Sequence, residues 1–318
     1  MKIIYDLKNI SNNNYAVATI GTFDGIHLGH QKLLNTVVEY SKKNNFESVV
    51  LTFDPHPRDI LRPNEPRQTI ITTLNEKLEL FEFYGIDKVY IIPFTAELSK
   101  LNYEEFLQKY LIELCKVKYL VIGYDHSFGK SREGKFDTLT KAGIKFGFTV
   151  EQVNQVYFKN FVVKSSLIRD SLRDGNIDLV NNLLGRNYQI SGEIIHGDKR
   201  GKELGFPTAN IKINDSQKLI PKNGIYFVKV KLNNKTHFGL LSVGTLPTFY
   251  NEHNVVVEVY LFNFSQDIYN EELTIYLVKF IREQKKFNSI SELITAMKED
   301  KQLGLKIIEN EYSQKKLI

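Results

Sequence analysis

One stretch decides the fold of the first half of the chain: Gly21-Thr22-Phe23-Asp24-Gly25-Ile26-His27-Leu28-Gly29-His30. The apolar, β-prone segment Tyr15–Ile20 precedes it, and Leu28–Lys43 continues from it with the spacing of an amphipathic helix. A strand that leads through a glycine turn into a helix is the repeating unit of a parallel sheet. Helix N-termini present unpaired backbone N–H groups and a positive dipole end, so this junction also predicts a phosphate-binding site.

Strand and helix signals continue to alternate beyond this stretch. Further buried-type strands are predicted at Ser48–Phe53, Lys88–Ile92, Lys118–Ile122 and Thr149–Val153, and further helices at Thr73–Phe83, Tyr103–Leu114 and Thr138–Phe146. Five apolar strands separated by helices indicate an α/β domain with a doubly wound, Rossmann-like parallel sheet. Ligands of such sheets bind at the carboxyl ends of the strands.

The pattern changes after Gly185. Two short helices are predicted within Ser165–Leu184, broken by Asp174-Gly175-Asn176, and then strands at Tyr188–His196, Gly224–Leu232, His237–Val243, Val255–Phe262 and Glu272–Ile281. A single helix, Ser289–Glu309, follows them. This order predicts a small antiparallel β-barrel with a C-terminal helix, and hence one domain over residues 1–185 and another over 186–318.

Composition limits the function classes. The chain has 318 residues, 42% of them apolar, and a formal charge of +5 without a dense basic block, so we expect no nucleic-acid partner. No run of apolar residues is long enough to span a membrane, so we expect no membrane association. Cys115 is the only cysteine, which excludes an intrachain disulfide and fits a cytoplasmic location. We expect a monomer or weak oligomer.

His27 and His30 are the candidate chemical groups of the first domain. They lie three residues apart at a helix start, so both can face one phosphate group, while Gly29 lets the backbone approach a ligand closely. Two histidines at this spacing could also bind a metal or cap the helix. Within the whole stretch, the pattern resembles the HxGH nucleotidylyltransferase superfamily.

Two further segments narrow the resemblance to bacterial FAD synthetases: Thr52-Phe53-Asp54-Pro55-His56-Pro57 and Gly123-Tyr124-Asp125-His126-Ser127-Phe128-Gly129, the latter followed by Arg132. The resemblance implies that Gly21, Phe23, Asp24 and Gly29 contact ATP and that Asp54, Tyr124, Asp125, Phe128 and Arg132 shape the flavin site. Asp54 can equally be a turn residue, and Phe128 a core residue.

The segment Val163-Lys164-Ser165-Ser166-Leu167-Ile168-Arg169 resembles the motif with which this family binds the ATP phosphates. By resemblance, Ser165, Ser166 and Arg169 take this role. Lys164 stands where the family has a serine. Directed inward it would add positive charge beside the phosphates, as we expect, and directed outward it would extend into solvent.

The second domain carries a longer signature, Gly192 to Asn210, which resembles that of riboflavin kinase. By resemblance, Gly197, Lys199, Gly201 and Gly205 bind ATP, and the side-chain oxygens of Thr208 and Asn210 hold Mg²⁺, which prefers hard oxygen ligands. Glu258, an acidic residue within an apolar strand, corresponds to the catalytic base; as a strand residue it could also face outward. Arg282, Glu283 and Phe287 are implied at the flavin end, and Ser242 stands where the family has asparagine.

These resemblances imply an enzyme of two activities, which uses ATP as co-substrate and Mg²⁺ to convert riboflavin into FMN and FMN into FAD. We expect no tightly bound prosthetic group. One alternative is a riboflavin kinase alone, with a degenerate N-terminal module. Another is a class I aminoacyl-tRNA synthetase relative, which shares the His-x-Gly-His helix start but would need a large catalytic domain and a second lysine-rich signature.

Overall fold

A computed structural model describes residues 1–5, 7, 14–124, 135–196, 201, 204–245 and 255–312. The chain divides into two compact units, Met1–Ser165 and Ser166–Ile318. No helix in these described ranges is long and apolar enough to cross a membrane.

The first unit is built on a parallel sheet in the order β1-β4-β3-β2-β5-β6. Its strands are β1 (Lys2–Ile4), β2 (Ala16–Ile20), β3 (Glu47–Asp54), β4 (Lys88–Pro93), β5 (Val117–Gly123) and β6 (Thr149–Val153). The predicted doubly wound sheet is confirmed, and the five predicted strands are all present. Strand β1 was not predicted, because three edge residues with two exposed side chains carry little pattern.

Helices cover both faces of this sheet. They are α1 (Leu28–Asn44), α2 (Pro57–Leu61), α3 (Leu74–Phe83), α4 (Ala96–Lys100), α5 (Tyr103–Phe106), which continues as a π-helix over Leu107–Leu114, and α6 (Phe136–Phe146). Apolar residues of α1 and α3 pack on one face, and those of the π-helix and α6 on the other. A short hairpin, β7 (Tyr157–Phe158) and β8 (Phe161–Val162), follows β6.

The strand order places a switch point between β2 and β5. From β2 the chain extends the sheet through β3 and β4 in one direction and through β5 and β6 in the other. Ligands of doubly wound sheets bind outside the carboxyl ends of the strands at this point. Strand β2 ends at Ile20, so the stretch from Gly21 to His30 begins where the topology predicts a site.

The second unit contains a closed antiparallel barrel in the order β10-β13-β12-β11-β14-β9. Its strands are β9 (Tyr188–Ile195), β10 (Thr208–Ile213), β11 (Gly224–Leu232), β12 (Lys235–Thr245), β13 (Val255–Leu261) and β14 (Glu272–Arg282). Pairing of β9 with β10 closes the barrel. The predicted barrel is therefore confirmed, with β10 as a strand that the sequence interpretation missed.

The helices of this unit whose full bounds the structure describes are α7 (Ser165–Asp174), which begins one residue before the unit, α8 (Ile177–Leu184) and α9 (Ile290–Tyr312). Helix α8 is attached to the barrel through Asn181, whose amide donates to the Leu277 carbonyl at 2.9 Å and whose oxygen accepts from the Tyr188 N–H at 2.8 Å. The break between α7 and α8 lies at Gly175 and Asn176, as predicted. Helix α7 begins at the boundary of the two units.

Candidate functional site

The two histidines of the first unit form a compact pair at the start of α1. His27 is the N-cap: its Nδ1 accepts a hydrogen bond from the His30 N–H at 3.4 Å. The two rings are stacked, with centroids 3.8 Å apart and planes 14° apart. A Cβ at Gly29 would lie 3.2 Å from the His27 ring, so a glycine fits best between the histidines. His27 therefore does cap the helix. Capping does not exclude a chemical role, because the pair lies at the switch point of the sheet.

The turn before the histidines is fixed by ring packing at Phe23 and by hydrogen bonds to the Asp24 carboxylate. Phe23 has a φ of 49°, and its buried ring lies 5.3 Å from the His30 ring and 5.4 Å from the Phe81 ring. The Asp24 carboxylate is buried and accepts hydrogen bonds from the backbone N–H groups of Ile71 and Thr72 at 2.8 and 3.1 Å. Phe23 and Asp24 thus use their side chains to fix the loop, and any contact with ATP would come from their backbone.

Two more contacts attach this turn to neighbouring segments. The Ser165 hydroxyl donates to the Asp24 carbonyl at 2.8 Å, and the Lys77 ammonium donates to the Thr22 carbonyl at 3.3 Å. The structure therefore brings the first predicted serine of the ATP motif to the glycine turn. Lys164, beside it, is exposed.

The structure describes some of the other residues predicted for this site. Asp54 and Tyr124 are exposed at the carboxyl ends of β3 and β5, and Gly21 follows β2. Ser166 and Arg169 lie on α7, in the second unit. The predicted flavin residues Asp125, Phe128 and Arg132 lie outside the described residues, as do Gly197 and Lys199 of the kinase site.

The second unit has a cavity of about 620 Å³ on the outer side of the barrel wall. Strand side chains alternate between two faces. One set, including Tyr226, Leu241 and Val257, is almost fully buried, and the alternate set lines the cavity together with residues of α9. The cavity therefore lies between the barrel and its last helix.

A row of side chains crosses five neighbouring strands along this cavity. Cross-strand pairing sets Asn210 opposite Glu258, Glu258 opposite Ser242, Ser242 opposite Ile225 and Ile225 opposite Arg282. All five line the cavity. Residues paired directly across strands point to the same face, so the predicted metal ligand, base and flavin residue share one surface. Glu258 faces out of the barrel and lies, half-buried, in the lining of this cavity.

The start of β10 is positioned next to Glu258. The Thr208 hydroxyl donates to Glu258 Oε2 at 3.3 Å, and Thr208 and Asn210, two residues apart, line the same cavity. A Cβ at Gly201 would lie 2.4 Å from the Phe206 carbonyl and 2.9 Å from the Thr208 hydroxyl, so only glycine fits there. Gly205 has a φ of 82°, which glycine adopts freely.

Arg282 forms the other end of the row. Its Nε and Nη2 donate to the two oxygens of Asp300 at 2.9 and 2.8 Å, and its guanidinium lies 5.7 Å from the Phe287 ring. Glu283 is exposed and paired with Lys222 at 2.7 Å, and this hydrogen bond lowers the pKa of the Glu283 carboxyl. Among the described residues, Arg282 and Phe287 line the cavity, and Glu283 does not.

Sequence reasoning missed the contribution of α9 to this cavity. Leu293, Met297 and Asp300 line it, as do His196, Gln284 and Lys285. The spacing of four and three residues on α9 places the first three on one helix face. That spacing was the available signal, but it is equally typical of ordinary core packing.

Comparison with known proteins identifies the family. A family model described as FAD synthetase matches residues 9–167, and one described as riboflavin kinase matches residues 184–308. A Listeria monocytogenes protein named bifunctional riboflavin kinase/FMN adenylyltransferase is 37% identical over 95% of this chain and 96% of its own length. A Bacillus subtilis protein of the same name is 36% identical over 93% of each chain.

One solved structure carries a different name. A Streptococcus pneumoniae protein named as a macrolide-efflux protein is 30% identical, with a TM-score of 0.86 and coverage of 95% of this chain and 97% of its own. The likeness confirms the two-unit fold. The efflux name disagrees with the two family models. Because these models match long segments of this chain itself, they decide to which family it belongs. This chain belongs to the family of bifunctional riboflavin kinase/FMN adenylyltransferases.

Proposed function

We propose that the barrel unit transfers the γ-phosphoryl group of ATP to the ribityl 5′-hydroxyl of riboflavin, and that the HxGH unit transfers AMP from ATP to the resulting FMN, releasing pyrophosphate. The observation that carries this proposal is the row from Asn210 through Glu258 to Arg282, which brings a side-chain amide, a carboxylate and a guanidinium to one cavity. The two family models support both activities in one chain.

In the kinase site, Glu258 orients the ribityl hydroxyl and accepts its proton. The Thr208 hydroxyl, which donates to Glu258 at 3.3 Å, holds this carboxylate in place. A base that is oriented by a neighbouring donor needs less rearrangement to reach the reacting hydroxyl. Ser242, opposite Glu258 on the next strand, supplies a second hydroxyl on the same face.

The residues of β10 fit the Mg²⁺ that such a reaction uses. Thr208 and Asn210 present a hydroxyl and an amide oxygen to the same cavity as the Glu258 carboxylate, and hard oxygen donors are what Mg²⁺ prefers. When bound beside the ATP phosphates, Mg²⁺ neutralises their charge and the charge that develops on the leaving group. We assign Thr208 and Asn210 as its protein ligands.

In the adenylyltransferase site, the stacked His27 and His30 hold positive charge or N–H donors beside the α-phosphate. Because His27 Nδ1 accepts from the backbone, a neutral His27 ring carries its proton on Nε2, which is then the donor. The N-terminus of α1 adds its backbone N–H groups. Adenylyl transfer depends mainly on such positioned donors.

The remaining assignments follow from this function. We assign residues 1–185 to the adenylyltransferase and 186–318 to the kinase as sequence domains, and we propose that the enzyme works in the cytoplasm, as a monomer or weak oligomer, on small molecules alone. Kinase activity with a degenerate N-terminal module is not favoured, because the histidine pair and its supporting contacts are intact.

The test is to incubate the purified protein with riboflavin, ATP and Mg²⁺ and to separate the flavins by chromatography. We expect FMN to appear first and FAD after it, and neither flavin to form without Mg²⁺. Formation of FMN alone, with no FAD even from added FMN, would contradict the second activity.

A further inference from the structure

The ion pair between Arg282 and Asp300 is unusual because it is largely buried and lines the cavity. Asp300 is 6% exposed, lies on the last helix and faces the flavin end of the cavity rather than a purely apolar core. A buried ion pair is a weak source of stability, since apolar residues of similar size often stabilise a fold as well or better. Its location in a substrate cavity calls for another explanation.

The hydrogen-bond geometry indicates what the pair does. A guanidinium has five N–H groups. Nε and Nη2 donate to Asp300, and Nη1 donates to the Glu283 carbonyl at 3.1 Å, which occupies three of them. Two N–H groups, one on each terminal nitrogen, have no acceptor among the residues that the structure describes. Phe287, 5.7 Å from the guanidinium, limits its movement on one side.

We propose that Asp300 is a positioning residue for riboflavin: from α9 it fixes the plane of the Arg282 guanidinium, so that the two remaining N–H groups donate to acceptor atoms of the isoalloxazine ring. The proposal rests on the kinase function proposed above. The isoalloxazine ring has carbonyl oxygens and ring nitrogens along one edge, and a fixed planar fork suits such an edge better than a mobile cation does.

The same arrangement makes the last helix part of the kinase site. Leu293 and Met297 line the cavity from the same helix face as Asp300 and supply apolar surface for the ring. Arg282 lies at the opposite end of the side-chain row from Asn210. Flavin recognition and phosphate chemistry are therefore separated along the cavity, and a change at Asp300 should affect riboflavin and not ATP.

The main experiment compares Asp300→Asn with Glu299→Gln in the full-length protein. Both variants remove one carboxylate from α9, but Glu299 is exposed and does not line the cavity. We expect Asp300→Asn to raise the KM for riboflavin by roughly ten- to a hundredfold, the range for loss of a charge-assisted hydrogen bond. The kcat and the KM for ATP should stay within about twofold, and Glu299→Gln should resemble the wild type.

Three further variants separate positioning from a structural role. If Asp300 acts through Arg282, then adding Asp300→Asn to Arg282→Gln should raise the riboflavin KM no further than Arg282→Gln alone. Arg282→Lys keeps the charge but loses the planar set of N–H donors, so this variant alone should raise the riboflavin KM. Should Asp300→Asn fail to fold, an unchanged riboflavin KM in Arg282→Lys would still overturn the proposal.

The remaining outcomes are also decisive. A riboflavin KM that is unchanged in folded Asp300→Asn, a rise in the KM for ATP instead, or additive effects in the double variant would each overturn the positioning role. Direct titration of riboflavin, followed by its fluorescence, should show the same weakening without turnover. Wild-type protein that makes FMN would keep the proposed function intact in all of these cases, so the two proposals fail separately.

Discussion

Glu258 is the second residue in the side-chain row of the barrel and lies between Asn210 and Ser242. Glu258→Gln keeps the size of the side chain and its place in β13 but removes the group that accepts the hydroxyl proton. We expect FMN formation to slow by about 100-fold or more, the usual contribution of a positioned general base. FAD formation from supplied FMN is the internal control, since the histidine pair proposed for that reaction lies in the other unit. A near-normal rate of FMN formation would exclude Glu258 as the base.

The double role of His27 requires a variant that separates capping from chemistry. His27→Ala removes both the ring and the N-cap of α1, and loss of an N-cap costs about 1 kcal/mol of stability. Asparagine is a good N-cap, so His27→Asn should retain the melting temperature of the wild type. It should still abolish FAD formation and spare FMN formation.

Thermal unfolding and flavin chromatography of the two His27 variants check this expectation. Adenylyl transfer that survives in His27→Asn but is lost in His27→Ala would mean that His27 serves only as a cap. Loss of FMN formation in folded His27→Asn would contradict the assignment of the two activities to separate units.

At the scale of elements, β10 depends on the glycine that precedes it. Gly201→Ala would place a methyl group 2.4 Å from the Phe206 carbonyl, which must shift, and the shift moves Thr208 away from Glu258. Such overpacking costs about 1–3 kcal/mol. We expect slower FMN formation and a higher Mg²⁺ requirement, as for Thr208→Ala and Asn210→Ala, and unchanged FAD formation from FMN. A rate of FMN formation equal to that of the wild type at all Mg²⁺ concentrations would contradict this.

Strand β10 also shows which features of the barrel could not be predicted from the sequence. The large elements were predictable because their apolar residues repeat with the period of a buried strand or an amphipathic helix. In β10, Thr208 and Asn210 occupy positions that line the cavity, so the usual apolar-in pattern is absent. The signature residues could be identified by resemblance, but the row that brings Asn210, Glu258 and Arg282 together depends on strand register, which the sequence does not specify.

At the scale of the whole molecule, α7 and α8 support the barrel. Their buried apolar side chains are Ile168, Leu172, Ile177, Val180, Leu183 and Leu184. Asn181 bonds to the backbone of both β9 and β14. A fragment of residues 166–318 should therefore unfold cooperatively and phosphorylate riboflavin. A fragment of residues 186–318 should be less stable by several kcal/mol, since each buried apolar side chain contributes about 1.5–3 kcal/mol. Urea unfolding of both fragments measures the difference, and equal stabilities would contradict the supporting role.

The position of α7 has an evolutionary consequence. Ser166 and Arg169, which we propose bind ATP in adenylyl transfer, lie in the stretch that folds with the barrel. If this assignment holds, a gene split between the units would leave the kinase complete but would remove two ATP-binding residues from the adenylyltransferase. On this assignment the kinase can be inherited alone, whereas the adenylyltransferase must take α7 with it.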